Sequence, residues 1–156
     1  MKAIKNTLLG LCFASTLFYT QANASEFDQY LQEKKILNEN FKIIDKNALD
    51  ELLSVLSAED SKTLPIQVDS NTLIEELQLY HDHTRLKGRI ITPDFSQFEQ
   101  TLSGEEVQKI VWDGLLKNCN ILFEHEYQRT NPYKVQLALT SETNQYDVDI
   151  SQQECQ

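Results

Sequence analysis

Apolar residues in this chain switch between a helical and a strand-like period, and the switches mark its elements. Leu49, Leu52, Leu53 and Leu56 fall at i, i+3, i+4 and i+7, one stripe of a helix. Asn47 with Asp50 is a capping pair ahead of that stripe, and residues 62–65, which end in Pro65, close it. Earlier, Ser25 with Asp28 precedes Phe27, Tyr30 and Leu31, which predicts a helix over 26–37. Phe41, Ile43 and Ile44 form a short apolar stretch with no decisive period.

From Leu73 the period becomes two. Leu77 and Leu79 alternate with Glu76, Gln78 and Tyr80; beyond Asp82-His83, Leu86, Gly88 and Ile90 alternate with Arg85, Lys87 and Arg89. A two-residue turn at Asp82-His83 pairs Leu79 with Leu86 and Leu77 with Gly88 on the inner face. On the outer face it sets Tyr80 opposite Arg85, Gln78 opposite Lys87 and Glu76 opposite Arg89. Glu75 then points inward, near Ile90.

A helical block follows. Phe95, Phe98 and Leu102 suit one short helix, and Ser103 with Glu106 is a capping box for a second. Val107, Ile110, Val111 and Leu115 form the second helix's buried stripe, with Cys119 on the same line. Gly114 weakens that helix by roughly 1 kcal/mol relative to Ala, or else lets it approach a sheet closely. In the last third, Ile121, Phe123, His125 and Tyr127 alternate with Leu122, Glu124, Glu126 and Gln128. After a turn at Asn131-Pro132, Tyr133, Val135, Leu137 and Leu139 alternate with polar residues, and beyond residues 141–145 so do Tyr146, Val148 and Ile150. The inner residues align as Tyr127 with Val135 and Leu137 with Val148. The predicted fold is α+β, a two-layer sandwich in which an antiparallel sheet, a hairpin plus a three-stranded meander, is covered by helices.

The first 24 residues change the picture from fold to compartment. Lys2 and Lys5 precede an apolar run over 8–20, and Ala22-Asn23-Ala24 offers the small residues of a cleavage site. The run falls short of the about 20 residues a membrane span needs. A signal peptide over 1–24 is expected to be cleaved, leaving a single domain over 25–156 that begins at Ser25, in the periplasm of a bacterium or secreted from it. That removes two of the 14 basic residues and none of the 24 acidic ones, so the remainder carries 12 against 24, a net charge of −12. A surface this acidic repels phosphate backbones and anionic lipid, which argues against nucleic acid and against membrane insertion after cleavage. Cys12 leaves with the signal. Cys119 and Cys155 remain, an even pair in an oxidising compartment, and are expected to form a disulfide that ties down the chain end.

Candidate chemistry is sparse. His81 and His83, at i and i+2 with His125 as a third ligand, could hold a metal, but Asp82-His83 reads more simply as a polar turn and no metal is expected. His125 and Glu75 fall on inner faces, where a histidine at the core edge or a carboxylate reaching water is the ordinary role. There is no G-x-S-x-G elbow, P-loop or dinucleotide fingerprint, so neither an enzyme nor a cofactor is the first expectation. Two binding features stand out. Trp112 lies about 100° round the helix from Val111, at the margin of the buried stripe, and tryptophan is enriched at interface hot spots. Arg85, Lys87 and Arg89 make a basic strip on an acidic protein, where they pair with Glu76 and guard a sheet edge, or else mark a docking strip.

One resemblance adds to this. A strand opening at Thr72-Leu73, a helix closing on Leu115-Leu116 before Cys119, Tyr127 and Tyr133 about a turn, and a terminal Glu154-Cys155 resemble the putative quorum-sensing-regulated virulence factor family of small exported Gram-negative proteins. The resemblance implies an exported α+β domain, associated with virulence and without a catalytic set. The sequence thus points to an exported, non-enzymatic protein-binding module with an unidentified protein partner, for example one that neutralises an exported toxin. The alternatives are a small periplasmic hydrolase or metal-assisted enzyme using Glu75, His125 or the His81/His83 pair, and a carrier of a small apolar ligand.

Overall fold

A computed structural model describes residues 25–155. The expected signal peptide over 1–24, with Cys12, lies outside the described residues. Helix α1 (Glu26–Glu33) begins at Ser25, whose hydroxyl accepts the Asp28 N–H at 3.1 Å. It ends earlier than the expected 37, because Lys35 turns the backbone to φ 58°. The apolar stretch that follows is a loop, bridged once between Leu37 and Ile43, that leaves Ile44 exposed. Helix α2 (Lys46–Asp60) is capped by Asp45, which accepts from Ala48 at 3.0 Å, rather than by Asn47. Its buried residues, Leu49 and Leu53, lie on the predicted stripe.

Five strands form one sheet in the order β1 to β5: β1 (Ile66–Gln67), β2 (Thr72–Leu79), β3 (His83–Ile90), β4 (Lys134–Thr140) and β5 (Gln145–Ser151). All neighbours are antiparallel except β3 and β4, which run parallel. The α+β class, with a mainly antiparallel sheet packed against helices, is the one expected. Between β3 and β4 come α3 (Phe95–Glu99), α4 (Gly104–Leu116), α5 (Cys119–Leu122) and α6 (Glu126–Thr130). The chain closes with a 3-10 turn over Gln152–Cys155.

From Glu76 to the turn the hairpin keeps its predicted faces but shifts its register. Leu77 faces Leu86 and Leu79 faces Thr84, so each pairing moves by two residues, which preserves the inward and outward sets. The turn is His81-Asp82, closed by the Tyr80 N–H bonding the His83 carbonyl at 2.8 Å. Asp50 of α2 fixes that choice, because its carboxylate takes the His81 N–H at 2.8 Å and the His81 ring at 2.7 Å. A bulge between Ile74 and Glu76 then turns Glu75 outward, against expectation, where it pairs with Arg89 at 2.9 Å. Beside the bulge Gly88 is required by space: a Cβ there would stand 2.6 Å from the Leu73 carbonyl oxygen.

Three details of the second half differ from expectation. Residues 121–128 are not a strand but parts of two short helices, α5 and α6, so the meander has two strands. Phe123 at the end of α5 and Tyr127 inside α6 are nevertheless buried, as the alternation predicts. Ile110 is exposed, off the buried stripe of α4. Gly114 has nothing within 4 Å of where its Cβ would stand, so it mediates no close approach to the sheet. The two true strands of the meander pair as read, with Leu137 opposite Val148.

Tyr133 just before β4, Val135, Leu137 and Leu139 of β4, and Tyr146, Val148 and Ile150 of β5 are buried on one face, while the residues between them are more open. Helices and the core lie on that face, and the other face is polar. At one end the Glu99 carboxylate, at the close of α3, accepts from Thr143 at 2.8 Å and Tyr146 at 2.6 Å and also from Ser141 and Asn144. Partial desolvation opposes ionisation there, but these four donors win and hold its pKa at about 2 instead of 4.5. A depressed carboxylate stabilises the fold above its unfolded pKa and loses that effect as pH falls through the folded one. Between about pH 5 and pH 2 the wild type should therefore lose more stability than Glu99→Gln, read as the shift of the urea midpoint. Equal acid sensitivity of the two proteins would show that the clamp has no energetic weight.

Candidate functional site

The helical side of the sheet contains an open cleft of about 390 Å³. Leu53 and Leu56 of α2 form one side, and Ile121 and Leu122 of α5 the other. Leu79 and Leu86 from the inner face of the sheet lie between them, and Phe27 and His125 also border the cleft. Two features of the sequence build it. The α2 stripe is wider than its contact with the sheet, so Leu49 and Leu53 are buried while Leu52 and Leu56 are only partly covered. And α5 is a single turn that leaves Ile121 at 75% exposure, an isoleucine on the rim of an apolar surface.

Within the cleft a backbone donor of the sheet is already engaged. The Leu79 N–H, on the stretch of β2 beyond its pairing with β1, donates to Ser57 Oγ of α2 at 2.8 Å. Below it Thr84 Oγ1 and the Tyr133 hydroxyl are bonded at 2.9 Å. Burial pushes the Tyr133 hydroxyl up from its ordinary pKa, and burial followed by the neighbouring Tyr133 pushes Tyr127 up much further. Both phenols stay neutral, and the floor presents no charge.

One end of the cleft is held by a buried carboxylate. Asp28 of α1 is fully buried and accepts the Glu126 N–H at 2.9 Å and the Tyr127 N–H at 3.3 Å, thereby capping α6 from another helix. Ser25 Oγ donates to Asp28 at 2.7 Å and lies 2.9 Å from His125 Nδ1. A hydroxyl has one proton, so with that proton on Asp28 the His125 Nδ1–H donates to Ser25. The direction is opposite to the one a serine nucleophile needs, in which imidazole accepts from the hydroxyl. The cluster fixes the start of α1 against α6.

The structure places the expected candidates apart from one another. His81 is bonded to Asp50 and His83 to Asp82 at 2.7 Å, each ring committed to its own carboxylate, while His125 sits at the cleft with Ser25. Glu75 is across the sheet, bonded to Arg89. Arg85, Lys87 and Arg89 lie on the polar outer face, away from the cleft. Lys87 pairs with Glu76 at 2.8 Å, and Arg85 lies over the Tyr80 ring at 5.8 Å. Their strand is the third of five, so they guard no edge. Trp112 is half-buried on α4 and does not line the cleft. Cys119 opens α5 and stands at bonding distance from Cys155, with Cα atoms 5.7 Å apart. Sequence reasoning missed the cleft, because its two sides come from segments about 65 residues apart and one of them was read as a strand.

No family model matches the chain, and no curated protein matches it. Two solved structures are similar in arrangement. One is a "putative secreted protein" from Pseudomonas aeruginosa, at 10% identity and a TM-score of 0.46, over 72% of this chain and 97% of the other. The second is the pilotin of the Vibrio vulnificus type 2 secretion system, at 12% identity and a TM-score of 0.48, over 71% of this chain and 94% of the other. Among the described residues no helix is long and apolar enough to cross a membrane.

Proposed function

We propose that this chain is an exported, non-enzymatic protein-binding module whose cleft between α2 and α5 takes an apolar segment of another polypeptide. The observation that carries the reading is Ile121, three-quarters exposed on the rim of a cleft whose floor is continuous with the core. Single exposed apolar residues are ordinary, but one that extends an apolar concavity is what an interface adds to a surface. Covering such a side chain contributes about 1.5–3 kcal/mol. The cleft is open to solvent rather than enclosed, which suits a polypeptide better than a small apolar ligand. Export is supported by the signal-like residues 1–24 and by the cysteine pair, which needs an oxidising compartment.

The test is selection of displayed peptides on the purified 25–156 protein, followed by binding to Ile121→Asp. The expected result is a set of enriched peptides with apolar anchors whose affinity falls at least about tenfold in the variant, or about 1.4 kcal/mol. Failure to enrich any peptide, or binding indifferent to Ile121→Asp, would overturn the reading. Because Ile121 is on the surface, the variant should fold like the wild type.

A further inference from the structure

Two carboxylates on the cleft are left without partners among the described residues. Asp60 ends α2 on one side, and Glu124 follows α5 on the other. Their acidic neighbours are engaged: Glu59 with Lys62 at 2.7 Å, and Glu126 with Arg129 at 3.0 Å. Among the described residues neither the Asp60 nor the Glu124 carboxylate has an ion pair or hydrogen bond.

Resting on the binding reading above, we infer that the cleft selects a cationic amphipathic helix, with leucine-like side chains seated between α2 and α5 and a Lys or Arg held by Asp60 and Glu124. The helical form follows from the backbone. An extended segment draws its affinity from main-chain bonds to a sheet edge, and here the edge amide of Leu79 already belongs to Ser57. A helix satisfies its own backbone and needs only apolar anchors at i, i+3, i+4 and i+7. Its cation would meet two carboxylates beside an apolar surface, where charge interactions exceed those in open water. The excess of acid over base in the whole chain steers a basic segment inward. A second copy of this chain fits poorly, since its rim would bring like charge to like charge.

The experiment uses three synthetic peptides with one leucine pattern, differing only in Lys, Gln or Glu at the flanking polar positions. Binding is read by fluorescence anisotropy at low and high salt, on wild type, on Asp60→Asn/Glu124→Gln and on Ile121→Asp. The expected result is at least about tenfold preference for the Lys over the Glu peptide on wild type. That preference should shrink at high salt and nearly vanish in the double variant, which keeps its affinity for the Gln peptide. If all three bind wild type equally and the double variant changes nothing, the charge selection is overturned while the binding reading stands. If none binds wild type at any salt, both fall. A concentration-dependent dimer in sedimentation, abolished by Ile121→Asp, would assign the cleft to self-association and overturn the selection of a basic partner.

Discussion

Asp28→Ala should be the most damaging single substitution in this protein, at about 3–5 kcal/mol. The side chain is fully buried and accepts from two backbone amides of α6 and from the Ser25 hydroxyl. Removing it leaves the Glu126 and Tyr127 N–H groups without acceptors, and each stranded buried donor costs about 1–3 kcal/mol. It also frees the start of α1 from α6, so Phe27 and His125 lose their position at the cleft. Against a usual total of about 5–15 kcal/mol, that brings the domain near the edge of unfolding. Asp28→Asn keeps one acceptor oxygen but turns its NH₂ toward donors, and should fall between. Urea unfolding of the three proteins checks the order. A loss under about 1 kcal/mol for Asp28→Ala would show that water replaces the carboxylate, and that α6 is capped in some other way.

Removing the cysteine pair should come next. In the chain-entropy model a closure 36 residues apart contributes roughly 4 kcal/mol, and the double variant Cys119→Ser/Cys155→Ser should lose about 2–4 kcal/mol of it. The loss has a location. Cys155 is the tail's anchor, and Cys119 begins the single turn of α5 that carries Ile121. Hydrogen exchange should therefore rise first in residues 119–123 and 152–155, and a ligand of the cleft should bind the variant more weakly even where the fold survives. An unchanged urea midpoint on reduction of the wild type would show that the thiols are not coupled in the isolated protein.

Much of this architecture is legible in the residue pattern, and the misreadings share one cause. The α2 stripe, the Ser103–Glu106 box and the alternation of β4 and β5 are local signals: the side chains that define each element also bury it. Misreadings occur where a distant residue decides. Asp45 takes the cap that Asn47 resembles, freeing Asp50 to hold His81 and to move the turn by one residue. Asp28, far off in sequence, caps α6 and makes a helix of residues whose alternation reads as a strand. Once α5 and α6 are helical, the apolar surface between them and α2 has no strand to fill it, and the cleft is the consequence. Asp60 and Glu124 look like any other surface acids in sequence; only the folded chain shows that, among the described residues, their neighbours are paired and they are not.

The sequence by itself determined the class of the fold, the inward and outward faces of its strands away from the bulge at Glu75, and the acidity of its surface. Periodicity and charge are carried by neighbouring residues, so they need no knowledge of what lies across the core. Only the tertiary structure decided the register of the hairpin, the parallel joining of β3 to β4 and the helical turns at 119–130. Each of those depends on a hydrogen bond, a covalent link or a packing face supplied from another part of the chain. The cleft belongs to that second group: its two sides have no relation until the sheet brings them together.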